Sequence, residues 1–388
     1  MSLAEAGERV YPRFTALEFE RRHGVVRAEM ASAGLSVLVA FGNRASSHEV
    51  QYLSNFPVTF DGALVFPLEA DPVLLVRYPN HVANARRVGI VADVRRLSDD
   101  VCSSVASTLV ERHLGGRIGL AGPVSYQLRD ALARELTGVE LVDFGPRLTA
   151  MRRVKSEEEM GFIRRGAALT DLALAALVSE ARVGMTEHDL VAIVESAYLS
   201  LGGTTHIHFI GSTSMADPDL CAPAQTPSGR RLRAGDVVLT EISAQYHGYW
   251  GQVLRTLSVA ADPIPRYQRM HDLAVEAFER IIALIQAGTR SEVVLDAAEL
   301  IHDAGFTIYD DLVHCAVGGV YAPYLRTRRT ALGPGSSFTF DEGMVIVVQP
   351  NVITPDERSG VQCGEMFRVT ASGVEPLHRA PRGFLRLG

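Results

Sequence analysis

Lysine is almost missing from this chain. Of its 38 lysines and arginines, Lys155 alone is a lysine. That scarcity excludes several chemistries, since a Schiff base, a covalently held pyridoxal phosphate and a phosphate-binding P-loop each need a lysine. Lys155 itself lies in RRVKSEEEM, which reads as an exposed helix start. No GxGxxG or GxSxG motif occurs, which weakens dinucleotide and serine-hydrolase readings. Cysteine is sparse as well. Cys102, Cys221, Cys315 and Cys363 are scattered without a CxxC pair, a usage that suits a reducing cytoplasm and argues against structural zinc or a disulfide framework. The longest apolar runs, LALAALV from Leu172 and MVIVV from Met344, are far too short to cross a bilayer. The opening MSLAEAGERVYPRF lacks the basic start and hydrophobic centre of a secretory signal. A net charge of −7 with no basic stripe argues against nucleic acid as a partner. The expectation is a cytoplasmic protein with neither nucleic acid nor membrane as a partner.

What is present is an ordinary globular composition, 47% hydrophobic and 21% charged over 388 residues, enough for two domains. In the first 150 residues, helical and strand periodicities alternate. EFERRHGVVRAEMASAGL is an amphipathic helix, SVLVAF and ALVFPLEADPVLLV are strands, and SYQLRDALARELTG is a helix between the short strands RIGLAG and VELVDF. This predicts a three-layer α/β unit. Near residue 150 the pattern changes. SEEEM carries a capping box that opens a long helix running to about Ala181, and TEHDLVAIVESAYLSLG opens by the same rule. Strand-like segments, two more helices and a last group of strands follow. The boundary is placed at 152/153, with an N-terminal α/β domain over 1–152 and a second domain over 153–388.

The second domain contains GDVVLTEISAQYHGYWGQVLRT, Gly235 to Thr256, two strands around a turn. Glu241 interrupts an apolar run and Gln252 sits between Gly251 and Val253. A carboxylate buried without a partner costs several kcal/mol, so Glu241 needs either a cation, such as Arg255, or a task.

This stretch, together with LTAMRRVKSEEEM, VHCAVGGVYAP, DEGMVIVVQPNV and GVQCGEMFRVTASGVEPLH in that order, resembles the creatinase/prolidase/methionine aminopeptidase family. The resemblance spans essentially the whole chain. It implies an α+β protein, a pita-bread C-terminal domain behind a smaller three-layer creatinase-like N-terminal domain. Family peptidases hold two metal ions with two Asp, one His and two Glu, which activate water and polarise the scissile carbonyl. The matching positions here are Glu241, Gln252, His314, Gln349 and Gly364, with Glu365 beside the last. Two are neutral amides and one has no side chain, whereas hard cations need anionic oxygen. No metal or other cofactor is expected, and a functional metallo-aminopeptidase is not.

Within the family, creatinase works without metal, using a histidine as acid and base. By that resemblance His314 is the candidate acid/base, with the lone structural histidine as the bland alternative. Tyr321, seven residues on, stands where relatives carry a second histidine, and a phenol there can donate to a developing oxyanion. The creatinase base histidine precedes the GDVV strand. Its counterpart segment STSMADPDLCAPAQTPSGRRL has none, and Cys221 is the nearest candidate, with an inert buried thiol as the alternative. Gln252 and Gln349 are candidate substrate contacts, or else satisfied core amides. Trp250 is expected to wall the cavity. His206 and His208 lie on one strand, and one of them, His208 in the candidate set, is expected to face the site. Glu365 is a candidate stand-in for the missing second Glu, although strand parity turns it to the other face. In creatinase the partner subunit's N-terminal domain supplies an aromatic and an arginine that grip the substrate carboxylate. The comparable loop SNFPVTFDGALV offers Phe60 and Asp61, implying a homodimer and a cationic or amine-bearing substrate group.

The resulting expectation is a metal-independent, creatinase-like hydrolase that cleaves an amide, amidine or lactam C–N bond of a small polar molecule. The alternatives are a lyase using the same pocket and a non-catalytic pita-bread binding protein.

Overall fold

The structure is a computed structural model and describes residues 10–309, 311–318, 322–330 and 332–388. The chain divides into two compact units, Met1–Arg152 and Arg153–Gly388.

The first unit runs α1 (Ala16–Ser32), β1 (Val37–Gly42), α2 (His48–Ser54), β2 (Gly62–Pro67), β3 (Val73–Val76), α3 (Pro79–Val88), β4 (Asp93–Arg96), α4 (Val101–Glu111), β5 (Arg117–Ala121), α5 (Tyr126–Glu135), β6 (Glu140–Asp143) and α6 (Gly145–Met151). Its strands form one mixed sheet in the order β4-β3-β2-β1-β5-β6. Alternation along β1 feeds two cores. Leu38 and Ala40 pack with Val26 and Met30 of α1, while Val37 and Val39 pack with Val105 and Leu109 of α4. That is the three-layer arrangement expected from the periodicities.

The second unit opens with α7 (Glu157–Glu180) and α8 (Glu187–Leu199). Both begin with the capping box legible in the sequence. Ser156 Oγ accepts from the Glu159 amide at 3.1 Å and Glu159 Oε2 accepts from the Ser156 amide at 3.0 Å, and Thr186 and Asp189 repeat the exchange. Lys155, expected on an exposed turn, is buried. The chain continues through β7 (Thr204–Ser214), β8 (Asp236–Tyr246), β9 (Tyr249–Trp250), β10 (Val253–Val259), α9 (Pro265–Leu284), α10 (Glu292–Asp303), β11 (Val313–Cys315), β12 (Tyr324–Leu325), β13 (Val345–Val348), β14 (Val352–Ile353), β15 (Gly360–Val361), β16 (Gly364–Thr370), β17 (Gly373–Pro376) and β18 (Leu385–Leu387). The main sheet follows the path β12-β11-β13-β16-β10-β8-β7.

Register decides what each face does. Val238, Ile242, Val253 and Leu257 pack against α7 and α8, and Ile346, Val348, Phe367 and Val369 pack against α9 and α10. The pairings Ile242↔Val253↔Glu365↔Val348 put these halves on one common, helix-backed face. The opposite face carries the chain Glu241↔Leu254↔Gly364 and the chain His314↔Val347↔Met366. A period of two adds Gln252 and Gln349 to it. One curved antiparallel sheet with helix pairs behind it is the pita-bread arrangement. Close approach fixes the β9–β10 corner against α7, since a Cβ on Gly251 would lie 2.3 Å from the Ala167 Cα.

Candidate functional site

All five positions singled out in the sequence (Glu241, Gln252, His314, Gln349 and Gly364) share the face opposite Ile242, Val253 and Val348, where Leu254, Val347 and Met366 pack with Met160 and Ile163 at the start of α7. The sheet also curls. The His206 ring on β7, at one edge of the path, stacks on Trp250 with centroids 4.9 Å apart and 8° between planes. His314 on β11 has its ring centroid 6.3 Å from that of the same indole. Strands β7 and β11, far apart along the sheet path, thus both reach Trp250, whose Nε1–H donates to the Gly318 carbonyl at 2.8 Å.

At one end of this concave face the half-buried Glu241 accepts from the Gln252 side-chain amide. A carboxylate can only accept, so the contacting atom of Gln252 is its NH₂ group, and its Oε1 points elsewhere. That oxygen is buried and has no partner among the described residues. The Gln252 backbone amide donates to His378 Nε2 at 3.2 Å, and His378 Nδ1 bonds Asp171 Oδ1 at 2.8 Å. The amide can only donate, so the His378 proton sits on Nδ1. Asp171 is further held by the Arg379 amide at 2.7 Å.

At the other end His314 is buried and Gln349 lies against its ring. Desolvation pushes the His314 pKa down to about 4, opposed by hydrogen bonds with Cys315 and Gln349 and assisted by the neighbouring His206. His206 is itself pushed to about 4 by burial. A general acid/base works best with a pKa near neutrality. His314 falls below that, because loss of water around the ring outweighs its hydrogen bonds. The imidazole is neutral at pH 7 and ready to accept a proton.

A two-metal centre does not fit these groups. Gln252 and Gln349 offer neutral oxygens, and Gln252 turns its NH₂ toward the one carboxylate, Glu241. A Cβ at Gly364 would lie 2.7 Å from the Val348 carbonyl oxygen and 2.9 Å from Gln349 Cβ, so no ligand side chain can grow there without backbone movement. Among the described residues no group of three or more His, Cys, Asp or Glu is arranged to hold a metal ion.

Other expectations meet corrections. Glu365 is not a substrate contact. It faces the helix-backed side and is held by Arg255 Nη2 at 2.7 Å and Arg382 Nε at 3.1 Å, a buried structural carboxylate. For the same reason Arg255 is not the partner of Glu241. His208 is not the inward histidine either. It pairs with Ile242 on the helix-backed face, where Tyr198 hydroxyl lies 2.7 Å from its Nε2. The bulge between Thr205 and Ile207 throws His206 toward Trp250 instead. Cys221 is buried beside Tyr309 and Tyr267, so the structure groups it with two phenols. Phe60 is exposed in the first unit against Tyr78 and His81, and Asp61 lies 4.0 Å from Arg77. Tyr321 lies outside the described residues. Sequence reasoning missed the Asp171–His378 pair, 207 residues apart. It also missed Gln362, whose signal was its spacing, two residues before Gly364 and so on the same face.

A curved sheet with converging polar positions, preceded in the chain by a three-layer α/β domain, defines a creatinase-type pita-bread protein. The chain belongs to metallopeptidase family M24, whose sequence profile matches residues 161–371, with the creatinase/prolidase N-terminal domain over residues 22–154. It is 24% identical over 409 residues to the creatinase of a Bacillus species, covering 98% of this chain and 95% of that one. It is also 24% identical over 270 residues to the Xaa-Pro dipeptidase of Pyrococcus furiosus, covering 69% and 75%. Its fold matches the crystal structure of an X-Pro aminopeptidase from Thermotoga maritima with a TM-score of 0.82 at 20% identity, covering 94% of this chain and 99% of that one.

Proposed function

We propose that this M24 protein is a metal-independent hydrolase that cleaves the C–N bond of a small polar molecule, with His314 as general base and acid. The supporting observation is the site itself. The positions that would ligate metal carry amides or no side chain, while a neutral, buried imidazole and a carboxylate keep their places on the concave face. Likeness to a creatinase over nearly the full chain supports the same reading.

In this scheme His314 takes a proton from water as the oxygen attacks the carbon. The imidazolium then returns that proton to the departing nitrogen, so water adds across the bond with no net change at the enzyme. Glu241, held by Gln252, orients an N–H of the substrate. The homodimer implied by the family resemblance belongs to this reading, and a monomer in sedimentation would remove that part.

The test is hydrolysis of a panel of small amides, lactams and amidines by chelator-treated protein, compared with a folded His314→Ala variant. General acid–base catalysis contributes about 10²–10⁴-fold, so His314→Ala should lose that much kcat. Solvent oxygen-18 should enter the product. Full activity in His314→Ala sinks the mechanism, and a product without the label indicates elimination.

A further inference from the structure

Gln362 is 1% exposed, yet both atoms of its side-chain amide lack a hydrogen-bond partner among the described residues. A buried amide normally finds at least one partner. Its backbone gives it no freedom to turn away. The Gln362 amide donates to Thr256 Oγ1 at 2.6 Å and Thr256 Oγ1 donates back to the Gln362 carbonyl at 3.0 Å. Its neighbours Val361 and Cys363 are both packed in the core beneath α9 and α10. Alternation counted back from Gly364, which lies opposite Leu254 and so in line with Glu241, puts Gln362 on the face of Glu241 and Gln252. Continuing the register Leu254↔Gly364 by two residues sets it opposite Thr256, which pairs with Leu239 on β8, two residues from Glu241. Two strand spacings, about 10 Å between backbones, separate β8 from Gln362, and side chains of this length meet across that gap.

We infer that Gln362 is a specificity-determining residue of the site and pairs edge to edge with a cis –CO–NH– group of the substrate, as in a lactam or a cyclic ureide. The inference deepens the hydrolase reading and rests on it for the identity of the site. A glutamine amide presents one donor and one acceptor side by side, so its complement presents one acceptor and one donor. An amidinium offers two donors and sets an N–H against the Gln362 NH₂. A carboxylate offers two acceptors and sets an oxygen against Oε1. Of these three, the cis amide satisfies both. Gln252 Oε1, fixed by the bond of its NH₂ to Glu241, adds a second acceptor for another substrate N–H.

The experiment is calorimetric binding of three probes, δ-valerolactam, hydantoin and acetamidinium, to wild type, Gln362→Met and Gln362→Glu. The inference expects wild type to bind the lactam or the ureide more tightly than acetamidinium. Gln362→Met should lose that binding by 10-fold or more while melting no lower than wild type, because the change removes an unpaired amide rather than a structural bond. Gln362→Glu should reverse the preference toward acetamidinium. The inference is overturned if wild type binds neither lactam nor ureide, if both variants bind them as wild type does, or if Gln362→Met melts markedly lower. Binding does not require turnover, so failure of the hydrolase reading would show separately, as a bound probe that is never cleaved.

Discussion

At the scale of single residues, the site differs from a two-metal centre by atoms that can be counted. Gly364 has no room for a Cβ, with 2.7 Å to the Val348 carbonyl. Gly364→Ala should therefore destabilise the fold by about 1–3 kcal/mol, the usual cost of overpacking, as read from urea unfolding; an unchanged midpoint would show that the backbone gives way. On the proposed mechanism His314 sets the pH dependence. Its pKa lies near 4 because burial disfavours the charged ring, and a base works only when unprotonated. Initial rates after a rapid pH jump should give a kcat/KM that is flat in this group above about pH 6 and falls as pH drops through about 4. A titration near 6.5 would contradict the burial argument. Much of this was legible from the sequence. The family resemblance named Glu241, Gln252, His314 and Gln349, and strand register puts them on one face. His206 was not legible, because one bulged residue decides which histidine turns inward. Nor was the partner of the Gln252 backbone amide, because His378 is 126 residues away and only tertiary structure joins them.

At the scale of elements, the segment after β17 ties the back of β10 and β16. β18 pairs with β10, Arg255 Nε donates to the Pro381 carbonyl at 2.9 Å, and Arg382 reaches Glu365. Glu365 and Arg255 are both nearly fully buried. Removing one partner of a buried ion pair leaves the other charge stranded, at about 3–5 kcal/mol. Glu365→Gln should lower stability by that order in urea while leaving the KM of the folded fraction unchanged. A rise in KM at unaltered stability would restore Glu365 to the site. The helices and the two capping boxes could be read locally. The neutralisation of Glu365 could not, since its second arginine follows the last family motif and carries no pattern of its own.

At the scale of the molecule, three desolvated histidines, two buried and one half-buried, make the fold acid-sensitive. His206, His208 and His314 are each pushed down to about 4 by loss of solvent, against about 6.5 in an unfolded chain. The unfolded state binds more protons between these values. Stability is therefore fully present above about pH 6.5 and declines as pH falls toward 4, by up to about 3 kcal/mol per histidine. Melting temperature should fall steeply over that window, and a flat profile would show that the three rings are wetter than their burial indicates. Among the described residues no helix is long and apolar enough to cross a membrane.

The central claim is that the concave face works without metal. Calorimetric titration of Mn²⁺, Co²⁺ and Zn²⁺ into chelator-stripped protein tests it most directly. The donor set of Glu241, Gln252, His314 and Gln349 predicts no stoichiometric binding at micromolar concentrations and no gain in melting temperature. Two equivalents bound tightly, and lost together in Glu241→Ala, would contradict it.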